Sequence, residues 1–191
     1  MAALGPRFRQ ALDLALDLHG AQPRKGSAVP YAAHLLGVAA LVLQSGGDEE
    51  QAMAALLHDA VEDQGGRPTL ERIRAALGER VARIVDACTD TDVEPKPPWR
   101  PRKEAYLARL RGEPPEVLLV SACDKLDNAR AIVADLRRLG PAVWERFSGG
   151  RESLWYYRAV AGVLAQAGRG TPAEPVAAEL SRMVDEMERL G

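Results

Sequence analysis

Residues 55–63 read ALLHDAVED, and this stretch gives the clearest indication of the fold. An apolar run leads into the adjacent pair His58 and Asp59, and a second pair, Glu62 and Asp63, follows one helical turn later. Side chains four residues apart share a helix face, so each residue of the first pair would lie beside a carboxylate. Three carboxylates and an imidazole in one place are unfavourable unless they share a cation. The alternative is a helix end with a solvated acidic patch, since charged residues prefer the surface.

Length and composition indicate an ordinary globular protein. The chain has 191 residues, of which 47% are hydrophobic, and a net charge of −2. We therefore predict a single domain over residues 1–191, with no nucleic-acid partner and no membrane partner. The sequence contains no run of about 18 apolar residues, so we predict no transmembrane helix. The N-terminus lacks a secretory signal and the two cysteines, Cys88 and Cys123, lie in apolar contexts, which favours a cytoplasmic protein with reduced thiols.

Apolar residues recur at helical spacing along almost the whole chain, which predicts an all-α fold. Asp48 and Gln51 match a capping box at the start of one helix. His19 ends another, where we interpret it as a structural residue suited to the helix dipole. Four prolines between residues 90 and 102 predict a mobile loop or lid and not a domain linker. The predicted helices cover residues 8–19, 31–44, 48–63, 69–78, 79–89, 103–111, 117–139, 151–167 and 172–190, with Thr69 as one N-cap.

Further ligand-type residues emerge from apolar helices. Asp124 follows the run VLLVSAC and shares a helical face with Asn128, so it needs either a salt-bridge partner or a metal. His34 opens an apolar helix, where a histidine is either a hydrogen-bonded core residue or a ligand. Together with His58 and Asp59, His34 and Asp124 form a set of two histidines and two aspartates. Mixed nitrogen and oxygen ligands of this kind suit manganese, iron or another borderline divalent ion.

The order of these motifs resembles a known family. His34, the pair His58 and Asp59, and Asp124 match the H…HD…D pattern of the HD-domain phosphohydrolases. Segments around them resemble the RelA/SpoT-type alarmone hydrolases in particular: RKGSAVPYAAH at 24–34, AALLHDAVED at 54–63, residues 69–81, DKLDN at 124–128, and residues 151–157. The resemblance covers about residues 8–168, and a C-terminal helix over 172–190 follows it.

This resemblance implies an all-α HD-domain helical bundle that binds one divalent cation, usually Mn²⁺, through His34, His58, Asp59 and Asp124. It also implies a stand-alone hydrolase without a synthetase domain. The expected reaction is removal of the 3′-pyrophosphate from a (p)ppGpp-type nucleotide, which releases pyrophosphate and a 5′-phosphorylated nucleoside. The oligomeric state is left open.

Roles for individual side chains follow from the chemistry and from the family match. Glu62 and Asp63 are the candidate catalytic residues, because a carboxylate beside the ligands can orient a water or take its proton; the alternative is that they only cap the helix. Arg24 and Lys25 would hold the pyrophosphate, although basic pairs in loops are often merely solvated. The candidate substrate-binding residues are Arg24, Lys25, Tyr31, Lys103, Asn128 and Tyr157.

Departures from the family pattern leave the substrate open. Asp127 stands where the family usually has histidine, and Lys125 where it usually has arginine. The alternatives are therefore an HD phosphohydrolase acting on an adenosine alarmone, NADPH or a nucleoside monophosphate, and a non-catalytic alarmone sensor. Retention of Glu62 and Asp63 argues against a sensor, since a binding protein does not need to activate water.

Overall fold

The structure, a computed structural model, describes residues 4–93 and 95–191. Across those ranges the fold is all-α without a β-strand, and one isolated antiparallel bridge joins Pro23 and Pro30. The all-α prediction is therefore confirmed. None of the helices in these ranges is long and apolar enough to cross a bilayer. The chain forms two compact units, one ending at Pro97 and the other starting at Pro98. The single domain over residues 1–191 stays a prediction.

The first unit is built around one short, buried helix. Its helices are α1 (Pro6–His19), α2 (Ala32–Gln44), α3 (Glu49–Leu57), α4 (Ala60–Asp63), α5 (Arg67–Leu77) and α6 (Glu79–Cys88). Helix α3 packs against α1, α2 and α6, and every residue from 51 to 57 is buried. The predicted capping box is present: the Asp48 carboxylate accepts from the Gln51 N–H at 2.9 Å, and the Gln51 side chain accepts from the Asp48 N–H at 2.9 Å. Burying each leucine contributes about 1.5–3 kcal/mol, so α3 is firmly anchored.

The continuous helix predicted through His58 and Asp59 is wrong, because α3 ends at Leu57 and α4 begins at Ala60. At the break, the His58 ring bonds to the carbonyl oxygen of Ala55, and Asp59, with φ −97 and ψ −2, is the N-cap of α4. A side chain that bonds a carbonyl in the last turn competes with the helix for it. The Asp63 N–H still bonds to the Asp59 carbonyl at 3.0 Å, so that i,i+4 relation survives.

Thr69 is not the N-cap predicted for the next helix. Helix α5 begins two residues earlier, at Arg67, and the Thr69 hydroxyl donates to the carbonyl oxygen of Gln64. Two glycines make the turn before the helix: Gly65 has φ 107 and Gly66 has φ 64. Both values lie in the left-handed region, which glycine adopts without the steric cost of a Cβ.

The second unit contains α7 (Trp99–Leu110), α8 (Pro115–Leu139), a 3₁₀ helix (Gly140–Arg146), α9 (Glu152–Ala167) and α10 (Ala173–Leu190). Helix α8 is the longest of these and packs against α9, α10 and the 3₁₀ helix. Its apolar start, Val117 to Val120, is helical as predicted and is fully buried. The 3₁₀ helix is an element that the apolar periodicity did not predict.

The Pro-rich stretch is only partly a loop. Its last residues are helical, because α7 starts at Trp99 directly after Pro98, so the predicted loop end at residue 102 is wrong. Proline fixes φ near −65° and lacks an N–H, which suits a residue at the entrance to a helix. Glu94 belongs to the predicted loop and lies outside the described residues. The boundary between the two compact units falls inside this stretch.

Candidate active site

The loop between α1 and α2 presents the predicted basic pair. Two backbone hydrogen bonds close this loop: the Tyr31 N–H donates to the Gln22 carbonyl at 2.8 Å, and the Arg24 N–H donates to the Val29 carbonyl at 2.8 Å. Within it, Lys25 is exposed and Arg24 is half-buried. The closed backbone therefore holds two positive charges near the start of α2.

Two histidines and one aspartate of the first unit come together. His34 lies in the first turn of α2, while His58 and Asp59 lie at the break between α3 and α4. Both rings are 1% exposed. Asp59 Oδ2 lies 2.9 Å from His58 Nε2 and 3.8 Å from His34 Nε2. Among the described residues, these three side chains offer donor atoms that all lie within 4.8 Å of one another.

Hydrogen bonding prepares the His58 ring to act as a ligand. Its Nδ1 lies 2.9 Å from the carbonyl oxygen of Ala55, which can only accept, so Nδ1 carries the proton. The other ring nitrogen, Nε2, lies 2.9 Å from Asp59 Oδ2, so in the neutral form of the ring its lone pair points at that carboxylate. A divalent cation bound by both Nε2 and this carboxylate would use the two donor atoms together. Adjacent ligands at about 2.1 Å from an ion lie about 3 Å apart, so this donor set fits a divalent cation.

Aromatic rings support this cluster from one side. Tyr31 stacks on His19 with ring centroids 5.3 Å apart, and its other edge meets His34 at 5.5 Å. The Tyr31 hydroxyl donates to Asp59 Oδ2. Tyr31 was predicted to bind substrate, and here it contacts a candidate metal ligand directly. His19 is 1% exposed and belongs to the same row of rings, a position that its place at a helix end did not reveal.

The two candidate catalytic carboxylates have different partners. Gln22 donates from Nε2 to Asp63 Oδ2 at 3.0 Å, while Lys96 lies 3.1 Å from Glu62 Oε1. Both carboxylates line a cavity of about 500 Å³ that Arg67 and Asp92 also line. Arg67 is held by Asp92 and by another aspartate, so the cavity offers little uncompensated positive charge. Sequence patterns did not indicate either Gln22 or Lys96.

In the second unit, Asp124 is held by its own helix. One carboxylate oxygen accepts from Lys125 Nζ, and the other accepts from Asn128 Nδ2 at 2.6 Å. Burial alone lowers the pKa of Lys125, but the charge and hydrogen bond of Asp124, together with the nearby phenols of Tyr156 and Tyr106, outweigh it and raise that pKa well above its usual value. The predicted salt-bridge alternative for Asp124 is therefore present. Its role as the fourth metal ligand stays a prediction.

The remaining predicted substrate contacts lie in an aromatic cluster of the second unit. Lys103 Nζ lies 4.8 Å from the centroid of the Tyr156 ring, and Tyr157 packs edge-on against the same ring at 5.9 Å. Burial raises the pKa of Tyr156 well above its usual value, although the charge of Lys125 opposes this shift. The neutral phenol therefore presents Lys103 with a π-face. The predicted substrate contacts of Lys103 and Tyr157 stay predictions.

Comparison with known proteins identifies the family. A sequence profile described as "HD domain" matches residues 11–155. The chain is an HD-domain protein. The predicted membership is confirmed, since one profile covers both His34 to Asp63 and Asp124.

Relatives of this HD-domain protein carry names that agree with the motif series. It is 32% identical over 166 residues to the guanosine-3′,5′-bis(diphosphate) 3′-pyrophosphohydrolase MESH1 of Mus musculus, a match that covers 85% of this chain and 88% of that enzyme. It is 35% identical over 125 residues to the enzyme named guanosine-3′,5′-bis(diphosphate) 3′-pyrophosphohydrolase of Aquifex aeolicus, but this match spans only 18% of that longer protein.

A solved structure agrees with these relatives. It is described as a metazoan ortholog of SpoT that hydrolyzes ppGpp and plays a role in starvation responses. It aligns with a TM-score of 0.75 and 28% identity, covering 99% of this chain and 97% of that one.

Proposed function

We propose that this HD-domain protein removes the 3′-pyrophosphate from a (p)ppGpp-type nucleotide and releases pyrophosphate and a 5′-phosphorylated nucleoside. The observation that carries the proposal is the cluster of the buried His34 and His58 with the half-buried Asp59, directly before the carboxylates Glu62 and Asp63. Ligands for a divalent ion beside proton-accepting groups are what hydrolysis of a phosphate ester requires. The names of the relatives that share most of this chain favour the same substrate.

The resident ion belongs to the same proposal. His34, His58 and Asp59 would hold it with Asp124 as the fourth ligand, and the mixed nitrogen and oxygen donors favour Mn²⁺. When bound, such an ion lowers the pKa of a coordinated water and polarises a phosphoryl oxygen. We also propose a cytoplasmic location, because a nucleotide signal is a compound of the cell interior.

Basic side chains on the closed loop between α1 and α2 would bind the terminal phosphate of the substrate. Arg24 can grip the terminal phosphate with two parallel hydrogen bonds, and Lys25 adds a compact positive charge. Tyr31, Lys103, Asn128 and Tyr157 complete the proposed substrate contacts. With the terminal phosphate fixed, the inner phosphorus, which is bonded to the ribose 3′ oxygen, is presented for attack. Fixing both phosphates makes the attack effectively unimolecular, which removes several kcal/mol from the barrier.

The bond changes balance as a simple hydrolysis. A water oxygen bonds to the inner phosphorus, and one of its protons passes to Glu62 or Asp63. The bond between phosphorus and the 3′ oxygen breaks, and the oxygen leaves with the electron pair and takes up a proton. The products are pyrophosphate and a nucleoside with a 3′ hydroxyl.

A substrate panel tests the proposal. Purified protein with Mn²⁺ is incubated with guanosine and adenosine 3′-pyrophosphates, NADPH and a nucleoside 3′-monophosphate, and products are separated by chromatography. The 3′-pyrophosphates should be hydrolysed. Because Lys125 and Asp127 depart from the family pattern, the panel also measures whether the enzyme prefers guanosine or adenosine. In ¹⁸O-labelled water, label should enter pyrophosphate and never the 3′ hydroxyl. If orthophosphate is the first labelled product, the protein is a different HD phosphohydrolase.

A further inference from the structure

Gln22, in the loop after α1, connects three side chains of the first unit. Its Nε2 donates to Asp63 Oδ2 at 3.0 Å. Its Oε1 lies 2.7 Å from Gln64 Nε2 and 2.8 Å from His19 Nδ1. An ionised carboxylate can only accept, so the nitrogen of the amide must face Asp63 and the oxygen must face the other two residues. The orientation of the Gln22 amide is therefore determined by chemistry.

The same reasoning sets the tautomer of His19. Because Gln22 Oε1 can only accept, the ring must donate from Nδ1. The ring is 1% exposed and stacks on Tyr31, so it cannot rotate away. The backbone is fixed as well: the Gln22 N–H bonds to the His19 carbonyl at 2.9 Å, and the Tyr31 N–H bonds to the Gln22 carbonyl. Gln22 is thus held from both sides before it reaches Asp63.

We propose that Gln22 is a positioning residue that aims the Asp63 carboxylate for proton transfer, an inference that rests on the proposed function. It occupies Oδ2 and takes no part at Oδ1, which leaves that oxygen to accept a proton from the attacking water. The kind of partner matters. Lys96 holds Glu62 with a positive charge. Gln22 instead orients Asp63 through a neutral amide, which fixes the direction of the carboxylate without placing a counter-charge on it.

Two substitutions separate orientation from bulk. Gln22→Met keeps the length of the side chain but removes its three hydrogen bonds. Gln22→Glu keeps the acceptor for His19 and Gln64 but loses the donor to Asp63. Both variants should lower kcat about tenfold or more, because misplacing a reacting group by about 1 Å costs up to about 10²-fold. KM and metal content should change little, whereas the melting temperature should fall, because each lost hydrogen bond contributes about 1 kcal/mol. Gln44→Met, at an exposed position at the end of α2, is the matched control and should behave like the wild type.

A double-mutant cycle with Asp63→Asn tests whether Gln22 acts through Asp63. In that background, Gln22→Met should cause no further loss of kcat, whereas independent effects would multiply. A full tenfold loss in both backgrounds would overturn the proposal, and so would a wild-type kcat in Gln22→Met. Wild-type protein that hydrolyses no nucleotide of the panel would overturn the proposed function itself, which distinguishes the two failures.

Discussion

Metal binding should stabilise the first unit, and His58 gives the sharpest test. The candidate donors His34 and His58 belong to α2 and to the end of α3, so an ion on both would tie two packed helices together. A ligand at 100 times its Kd adds about 2.7 kcal/mol to the free energy of unfolding. For a protein of this size, that raises the melting temperature by about 5–10 °C. His58→Ala should lose this whole increment.

The same substitution also has a cost without metal. It removes the hydrogen bond from the ring to the Ala55 carbonyl, which contributes about 1 kcal/mol. Deleting the buried ring also leaves a cavity, so the metal-free His58→Ala protein should melt below the metal-free wild type, and the gap should widen further as Mn²⁺ is added. Melting curves across a Mn²⁺ titration, with elemental analysis of protein purified without chelator, measure both effects.

His19 provides the matched control. It is buried to the same extent as His58, but it lies outside the group whose donor atoms come within 4.8 Å of one another. His19→Ala should lower the melting temperature and keep the increment from Mn²⁺. If Mn²⁺ raises the melting temperature of wild type and His58→Ala equally, or raises neither, the assignment of the ligands is refuted. Asp124→Ala in the same titration tests the proposed fourth ligand.

Three further outcomes are expected. Glu62→Gln and Asp63→Asn should both keep the metal and the fold. The variant that removes the general base should lose about 10²-fold in kcat. Full activity in both variants would mean that neither carboxylate takes the proton. Arg24→Ala should weaken kcat/KM for a 3′-pyrophosphate far more than for a 3′-monophosphate, and equal losses would contradict the clamp. Asp48→Ala should lower the free energy of unfolding by about 1 kcal/mol in urea titrations. Burial raises the pKa of Asp48, but hydrogen bonds from the Gln51 N–H and a neighbouring arginine, with the charge of that arginine, outweigh it and hold the pKa below its usual value. The difference should therefore be present at neutral pH and shrink as pH falls through the lowered pKa.

Patterns that depend on local sequence were predictable. The capping box at Asp48 and the apolar run after it identified α3, because both signals act within a few residues. The apolar run at Val117 begins a predicted helix, and the structure places it in α8. The clustering of His34, His58 and Asp59 followed from ligand-type side chains at the ends of apolar helices.

Features that depend on competition between contacts were not predictable. The helix break at His58 depends on a ring that bonds a carbonyl, and periodicity contains no such information. Gln22 is a polar residue in a loop, and its role is visible only when Asp63 and His19 are near it in space. Lys125 and Asp127 stand where the family usually has other residues. The substrate panel measures their effect on the preference for guanosine or adenosine.

The division of the chain at Pro97 and Pro98 gives each unit its own optical signal. All three tryptophans, at positions 99, 144 and 155, belong to the second unit, whereas the first unit has Tyr31 as its one tyrosine and no tryptophan. Emission excited at the red edge of absorption therefore reports on the second unit alone. Far-ultraviolet circular dichroism follows the helices of both. Coincident unfolding curves from the two probes would show that the units melt as one cooperative body, and separated curves would give each unit its own free energy of unfolding.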